Sequence, residues 1–453
     1  MFLRMLDRMV LSVANGIYVW FCFLGLRNVA DAYRYLRFGL TQWFYFYNGI
    51  PQLVMILFTS MISAILTYIL LSYVKEKLAV FWMIFLMNTL LVPTAVFAVA
   101  SSKSMMTYVS AILAIIIGVI TILLFSLLTK PRNIKKYLSI SFVKWILWIL
   151  VALALGYGIY RNGLPMIFSA FSSSSVTLFR GTGNYTGIMA YIFNIATASA
   201  IPILYVIYFS RGKIIVCIAL AFSMLLLSQY DANRSIMLLS YVFIILAFVG
   251  NEVNKLNLRS ITKVLVFALL LLVMIMPNLL VLSDRTMREV SSLLYWRMIV
   301  IPAQVTSMWI SYFEDGEAAF RGISDIGPLK MLSDLPYIPH VFRELYVWIG
   351  SANTGYLAEG YSRASLFGVC ILSFLVSALL IFFDRQTLMC TSTITNRIIL
   401  SSGVIYLTNL EFFTVLLTKG VLFVIFILAF VRIQGVERRV LYTDNSLALF
   451  GSE

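Results

Sequence analysis

VLVFALLLLVMIMPNLLVLSDRTMREVSSLLYWRMIVIP, residues 264–302, sets an unbroken apolar run against a stretch that carries Arg285, Arg288 and Arg297. The run through residue 283 has the roughly 20 apolar residues that a helix needs to cross a bilayer. Similar runs recur near 9–26, 52–74, 78–100, 107–129, 140–160, 187–210, 214–229 and 236–250. Beyond the long polar stretch they resume near 366–383, 398–412 and 420–433. The seventh and eighth are short for a span. Twelve candidate spans predict an all-α polytopic membrane protein.

Composition agrees. Of 453 residues, 61% are hydrophobic and only 12% are charged, where ordinary globular domains carry about a quarter. Mean hydropathy is +0.95. The first run follows Arg4 and Arg8 without a short apolar region leading to a small-residue cleavage site, so it reads as a retained helix. Cys22, Cys217, Cys370 and Cys390 have no paired spacing, which argues against a disulfide framework or a metal knuckle. The single histidine, His340, excludes a multi-histidine metal site. Without a Walker loop, haem motif or dinucleotide turn, an ATP-driven pump is disfavoured and no cofactor is called for.

Lysine-rich short loops belong on the cytoplasmic side. KPRNIKK (130–136), KEK (75–77), RGK (211–213), NEVNKLNLRSITK (251–263) and the tail with Arg438 and Arg439 all fall on one face of a twelve-span layout. Both termini are then inside. Sorted this way, the inner face holds 10 Arg and 8 Lys, the outer face 12 Arg and 3 Lys, and Lys144 sits within a span. Positive charge is therefore not depleted outside, but lysine is. Arginine presents a planar fork that binds phosphate oxygens through two parallel hydrogen bonds, so a polyanion at the outer surface is the partner this bias suggests. The competing expectation is that these arginines pair with the twelve outer carboxylates or snorkel to headgroups. It is strongest for Arg321 and Arg363.

Two outer loops stand out in what otherwise reads as a single membrane domain over 1–453. The first, 161–186, is rich in Ser and Gly and sets Arg180 beside Gly181 and Gly183. The second, 284–365, is far longer than a connector needs. Its recurring aromatics, among them Trp296, Trp309, Tyr337 and Trp348, suit sugar faces or the headgroup layer equally. Between the seventh and eighth spans, YDANRS (230–235) places Asp231 and Arg234 where charge is expensive unless paired or functional.

LFRGTGNYTG (178–187), YWRMIVIPAQV (295–305) and SANTGYLAEGYSRASLFG (351–368), within a layout of twelve spans and two arginine-bearing outer loops, resemble the Wzy-type O-antigen polymerases. The resemblance implies a GT-C-like membrane fold in the bacterial inner membrane, with its reaction chamber facing the periplasm. It implies transfer of a growing glycan from undecaprenyl pyrophosphate onto a lipid-linked oligosaccharide repeat unit. The implied partners are those lipid-linked oligosaccharides, membrane lipids and, as a further candidate, a chain-length regulator protein. No nucleic acid is expected. The family's important loop arginines match Arg180 and Arg297, with Arg285, Arg288 and Arg234 completing the proposed pyrophosphate set.

The related O-antigen ligases use a His-Asn pair where this chain has Ala352 and Asn353, which counts against a ligase. A lipid-linked oligosaccharide flippase should show internal repeats and charges near the midplane, and neither is seen. Glycosyl transfer needs a base near the acceptor hydroxyl. His340 and Glu344, four apart and so on one helical face, are candidates behind Pro336 and Pro339, and Glu359 is the third. Transfer is expected to be metal-independent, with arginine compensating the leaving group's charge.

Overall fold

The computed structural model describes residues 2–35, 49–74, 77–101, 105–128, 140–163, 188–230, 234–282, 295, 298–314, 355–391 and 393–430. Every regular element among them is helical. The helices are α1 (Phe2–Tyr35), α2 (Ile50–Tyr73), α3 (Lys77–Ser101), α4 (Met105–Leu128), α5 (Ile140–Asn162), α6 (Ile188–Phe209) and α7 (Ile214–Tyr230). They continue as α8 (Arg234–Lys255), α9 (Leu258–Leu282), α10 (Ile301–Glu314), α11 (Tyr356–Cys390), α12 (Ile394–Leu400), α13 (Phe412–Leu417) and α14 (Val421–Phe430). Among the described residues, eight helices are long and apolar enough to cross a membrane, and α7 and α14 are shorter apolar helices. The protein is thus an all-α, membrane-embedded chain.

One expected span is not a continuous helix. Residues 398–412 break into the end of α12, a 3-10 segment Ser402–Thr408 and the start of α13. The reason is local. Ser401 Oγ bonds back to the Arg397 carbonyl at 2.8 Å, and Asn409 and Glu411 interrupt the apolar run. Polar side chains that bond to nearby backbone compete with the helical ladder.

The chain folds as two compact units. The first holds Met1–Lys130, Asn257–Phe382 and Val404–Val415. Its centre is α3, buried at every position from 78 to 101. Around it α1 packs along α2 and α9, and α10 packs on α4 and the second half of α3. Polar groups tie these helices. Asn88 Nδ2 donates to Asn15 Oδ1 at 2.7 Å, and Asn15 Nδ2 donates to Ser63 Oγ and Thr67 Oγ1 at 2.8 Å each. Such interhelical bonds add about 0.6 kcal/mol each on average within a bilayer.

Asn88 lies in a π-helical turn, Met87–Leu91, inside α3. The Tyr18 hydroxyl donates to the Asn88 carbonyl, so a backbone acceptor in the irregular turn finds a partner on α1. Pro93 follows two residues after the turn. A proline ring lacks the N–H and crowds the carbonyl four residues earlier, and the wider π turn relieves that crowding.

The second unit holds Pro131–Leu256, Phe383–Gly403 and Leu416–Glu453. It repeats the device in α6, where a π turn at Ala196–Ala200 directly precedes Ile201 and Pro202. Ser199 within it donates to the Gly420 carbonyl at 2.7 Å. Helices α7 and α8 pack on each other, and α12 packs on α6 and α8. Buried cationic side chains find local partners. Arg397 pairs with Asp384, and Lys419 Nζ donates to Asn194 Oδ1 at 2.5 Å.

Candidate functional site

In the first unit, α11 begins right after Gly355. A side chain there would sit 2.9 Å from the carbonyl oxygens of Leu407 and Thr408, so only glycine lets the two backbones meet. One turn on, Glu359 projects into the interior with 0% exposure, beside Arg363 at 8%. Arg363 Nε and Nη2 both donate to Glu359 Oε1, at 3.0 and 2.7 Å. The other oxygen, Oε2, accepts the backbone N–H of Phe412 at the start of α13. The Arg363 guanidinium also lies 5.3 Å from the centroid of the Phe413 ring. A buried carboxylate without partners would be strongly unfavourable; here both oxygens are engaged. The i,i+4 spacing sets the pair on one helical face, and burial makes the loss of either partner alone costly.

Immediately after Arg363 the helix breaks. Ala364 (φ −156, ψ 40) and Ser365 (φ 52, ψ −143) are non-helical. Ser365 is the one non-glycine residue with positive φ among the described residues, a conformation that strains the backbone by about 1–3 kcal/mol. The chain doubles back tightly enough for Gly360 to meet Gly368. A Cβ on Gly360 would lie 2.9 Å from the Gly368 carbonyl oxygen, and a Cβ on Gly368 would collide with that of Gly360. Residues 356–363 therefore form a short buried foot, and the membrane-length part of α11 starts where a span was expected, near 366.

A second polar feature of the same unit is α10, buried from Pro302 to Phe313. Gln304, Ser307 and Ser311 recur at helical spacing on one face. The two side-chain amide atoms of Gln304 and the hydroxyls of Ser307 and Ser311 are buried without a hydrogen-bond partner among the described residues. So is Ser110 on α4, a helix that α10 packs against. Glu314, at the end of α10, interacts electrostatically with Tyr361 in the foot of α11. The foot and the polar helix are thus neighbours. Among the described residues, no cluster of three or more His, Cys, Asp or Glu side chains is arranged to hold a metal ion.

Of the residues singled out from the sequence, Glu359 is described in full, and Arg363 satisfies the expectation of a carboxylate partner. Arg234 opens α8, but its side chain lies outside the described residues, as do Arg180, Arg285, Arg288, Arg297, His340 and Glu344. The buried face of α10 was not anticipated. Its signal is present in Gln304, Ser307 and Ser311 at helical spacing within an otherwise apolar segment, but 284–365 as a whole reads as a long loop. No family model, curated protein or solved structure matches the chain.

Proposed function

We propose that this chain is an O-antigen-type polysaccharide polymerase, a glycosyltransferase with a GT-C-like fold and twelve spans in the bacterial inner membrane. It transfers a growing glycan from undecaprenyl pyrophosphate onto a lipid-linked oligosaccharide repeat unit at the periplasmic face. The observation that carries the reading is residues 351–368, whose described part is the buried Glu359–Arg363 foot, the strained turn at Ser365 and the start of a membrane helix. It resembles the polymerase family in sequence, and it sits beside a buried polar face suited to hydroxyl-rich ligands.

In the proposed reaction, an acceptor hydroxyl attacks the anomeric carbon of the donor's pyrophosphate-linked sugar. The C1–O bond to the pyrophosphate breaks, undecaprenyl pyrophosphate leaves, and the hydroxyl proton passes to a base, for which His340 and Glu344 are the candidates. Arg180 and Arg297, with Arg285, Arg288 and Arg234, compensate the charge growing on the leaving group. Glu359 and Arg363 engage each other, so their role in this scheme is to position the foot.

The test is the glycolipid ladder of a strain lacking the chain, complemented with wild type, Arg180→Lys or Arg297→Lys. Loss of long chains with one capped repeat retained supports a polymerase. Loss of every capped form assigns a ligase or flippase instead. Both lysine variants should fail to restore long chains at normal protein level, because lysine keeps the charge but not the planar two-bond contact. A full ladder from both would remove arginine-specific phosphate recognition from the scheme.

A further inference from the structure

Many buried hydroxyls in this protein satisfy themselves within their own helix. Thr89 and Thr94 on α3 donate to the carbonyls of Phe85 and Leu90, Ser240 on α8 to that of Met237 and Thr262 on α9 to that of Leu258, at 2.6–2.9 Å. A serine or threonine in an apolar helix makes this bond to the carbonyl three or four residues back when no other partner is near. On α10 none does. The hydroxyls of Thr306, Ser307 and Ser311 and both amide atoms of Gln304 lack a hydrogen-bond partner among the described residues. Gln304, Thr306 and Ser307 are 0% exposed and Ser311 6%.

Gln304, Ser307 and Ser311 are spaced three and four apart, so they share one face of α10 over about 10 Å at 1.5 Å per residue. Glu314 continues the stripe three residues further and meets the foot of α11 through Tyr361. Buried polar groups without partners are strongly unfavourable, and here they are gathered on one face. A ligand that bonds them relieves that penalty. Their chemistry selects it. Each side chain on the stripe both donates and accepts, and none is charged before Glu314. With no Lys or Arg in α10 and a carboxylate at its end, the stripe does not suit phosphate. Cation ligands converge on a point, whereas these groups follow one another along a helix. A row of neutral donors and acceptors matches the hydroxyls of a sugar chain.

We propose that the Gln304–Ser307–Ser311 face of α10 is a saccharide site, which bonds the neutral sugar units of the lipid-linked glycan and leaves the pyrophosphate to the arginines. The face is closed in the structure, so a sugar enters when α10 parts from what covers it. The unsatisfied groups favour that opening, because they gain partners only in the open state. The proposal rests on the glycosyltransferase reading for the choice of ligand, and its test reads binding rather than polymer.

Calorimetric titration of the purified full-length protein, in a sugar-free detergent, tests it. The probe is the oligosaccharide released by mild acid from the source strain's lipid-linked repeat units. Wild type should bind it, and inorganic pyrophosphate should not compete. Gln304→Leu with Ser307→Ala removes three bonding groups at about fivefold in affinity each, so binding should weaken by about 100-fold. Its thermal midpoint should stay level or rise, because an unsatisfied buried group is removed, whereas a structural role would lower it. Ser240→Ala, whose hydroxyl bonds within its own helix, should bind like wild type. If the double variant fails to fold, Ser311→Ala decides, with binding weakened by about fivefold. Because no polymer is read, failure of the polymerase reading shows in the glycolipid ladder and failure of the saccharide site shows here. Absence of binding by wild type overturns the proposal, as does competition by pyrophosphate. So does wild-type affinity in the folded double variant, which would leave the face to water.

Discussion

Arg363 shows how one residue type can serve two chemistries. Outer arginine was expected either to grip phosphate or to meet a carboxylate, and at this position it meets Glu359 in the protein interior. Removing one member of a buried pair leaves the other charge uncompensated, which costs about 3–5 kcal/mol, while replacing both with neutral groups is often nearly neutral. Glu359→Gln should therefore lower the thermal midpoint in detergent markedly. Adding Arg363→Met should bring stability back to within about 1 kcal/mol of wild type. If Glu359→Gln melts like wild type, the pair does not hold the foot. The double variant also separates roles, because recovered stability with lost polymer would show that the ion pair is needed for the reaction beyond holding the fold. The i,i+4 spacing of these residues was legible in the sequence. That they are buried was not, because burial depends on α13, about fifty residues downstream, supplying the Phe412 amide.

Among the elements, α11 is the one whose shape rests on particular glycines. Gly360 and Gly368 touch across the break at Ala364 and Ser365. Backbone there cannot retreat as a flexible side chain would, so Gly368→Ala should destabilise the protein by about 1–3 kcal/mol, the range for overpacking a close-packed site. Gly156 in α5 is the control, since a Cβ there meets nothing within 4 Å. Gly156→Ala should be neutral or stabilising by about 0.5–1 kcal/mol. Thermal melts of the two variants side by side check this, and equal behaviour would refute a glycine-dependent turn. The π turns in α3 and α6 have a readable cue in Pro93 and Pro202, each the second residue after the irregular turn. Whether a proline kinks a helix or widens it is decided by neighbours, here by Tyr18 reaching the Asn88 carbonyl and Ser199 reaching that of Gly420.

At the scale of the whole molecule, the proposed orientation rests on the lysine-rich connections. Single cysteines at positions 135 and 255 should resist an impermeant thiol reagent in intact cells, and cysteines at 180 and 297 should react, after the four native cysteines are replaced. Labelling at 135 would invert the assignment. Membrane embedding, helical class and the positions of most spans were determined by the sequence alone, because hydrocarbon demands long apolar helices whose backbone groups bond within the segment. That requirement is local and leaves its mark residue by residue. Tertiary structure alone decided that residues 398–412 do not form one helix, that α10 is buried with a polar face, and that the chain divides into two compact units. Each depends on contacts between segments far apart in sequence, where a serine or glutamine reads the same whether it meets water, lipid or a distant carbonyl. Hydropathy records the solvent a segment prefers, whereas packing decides which neighbour it finds.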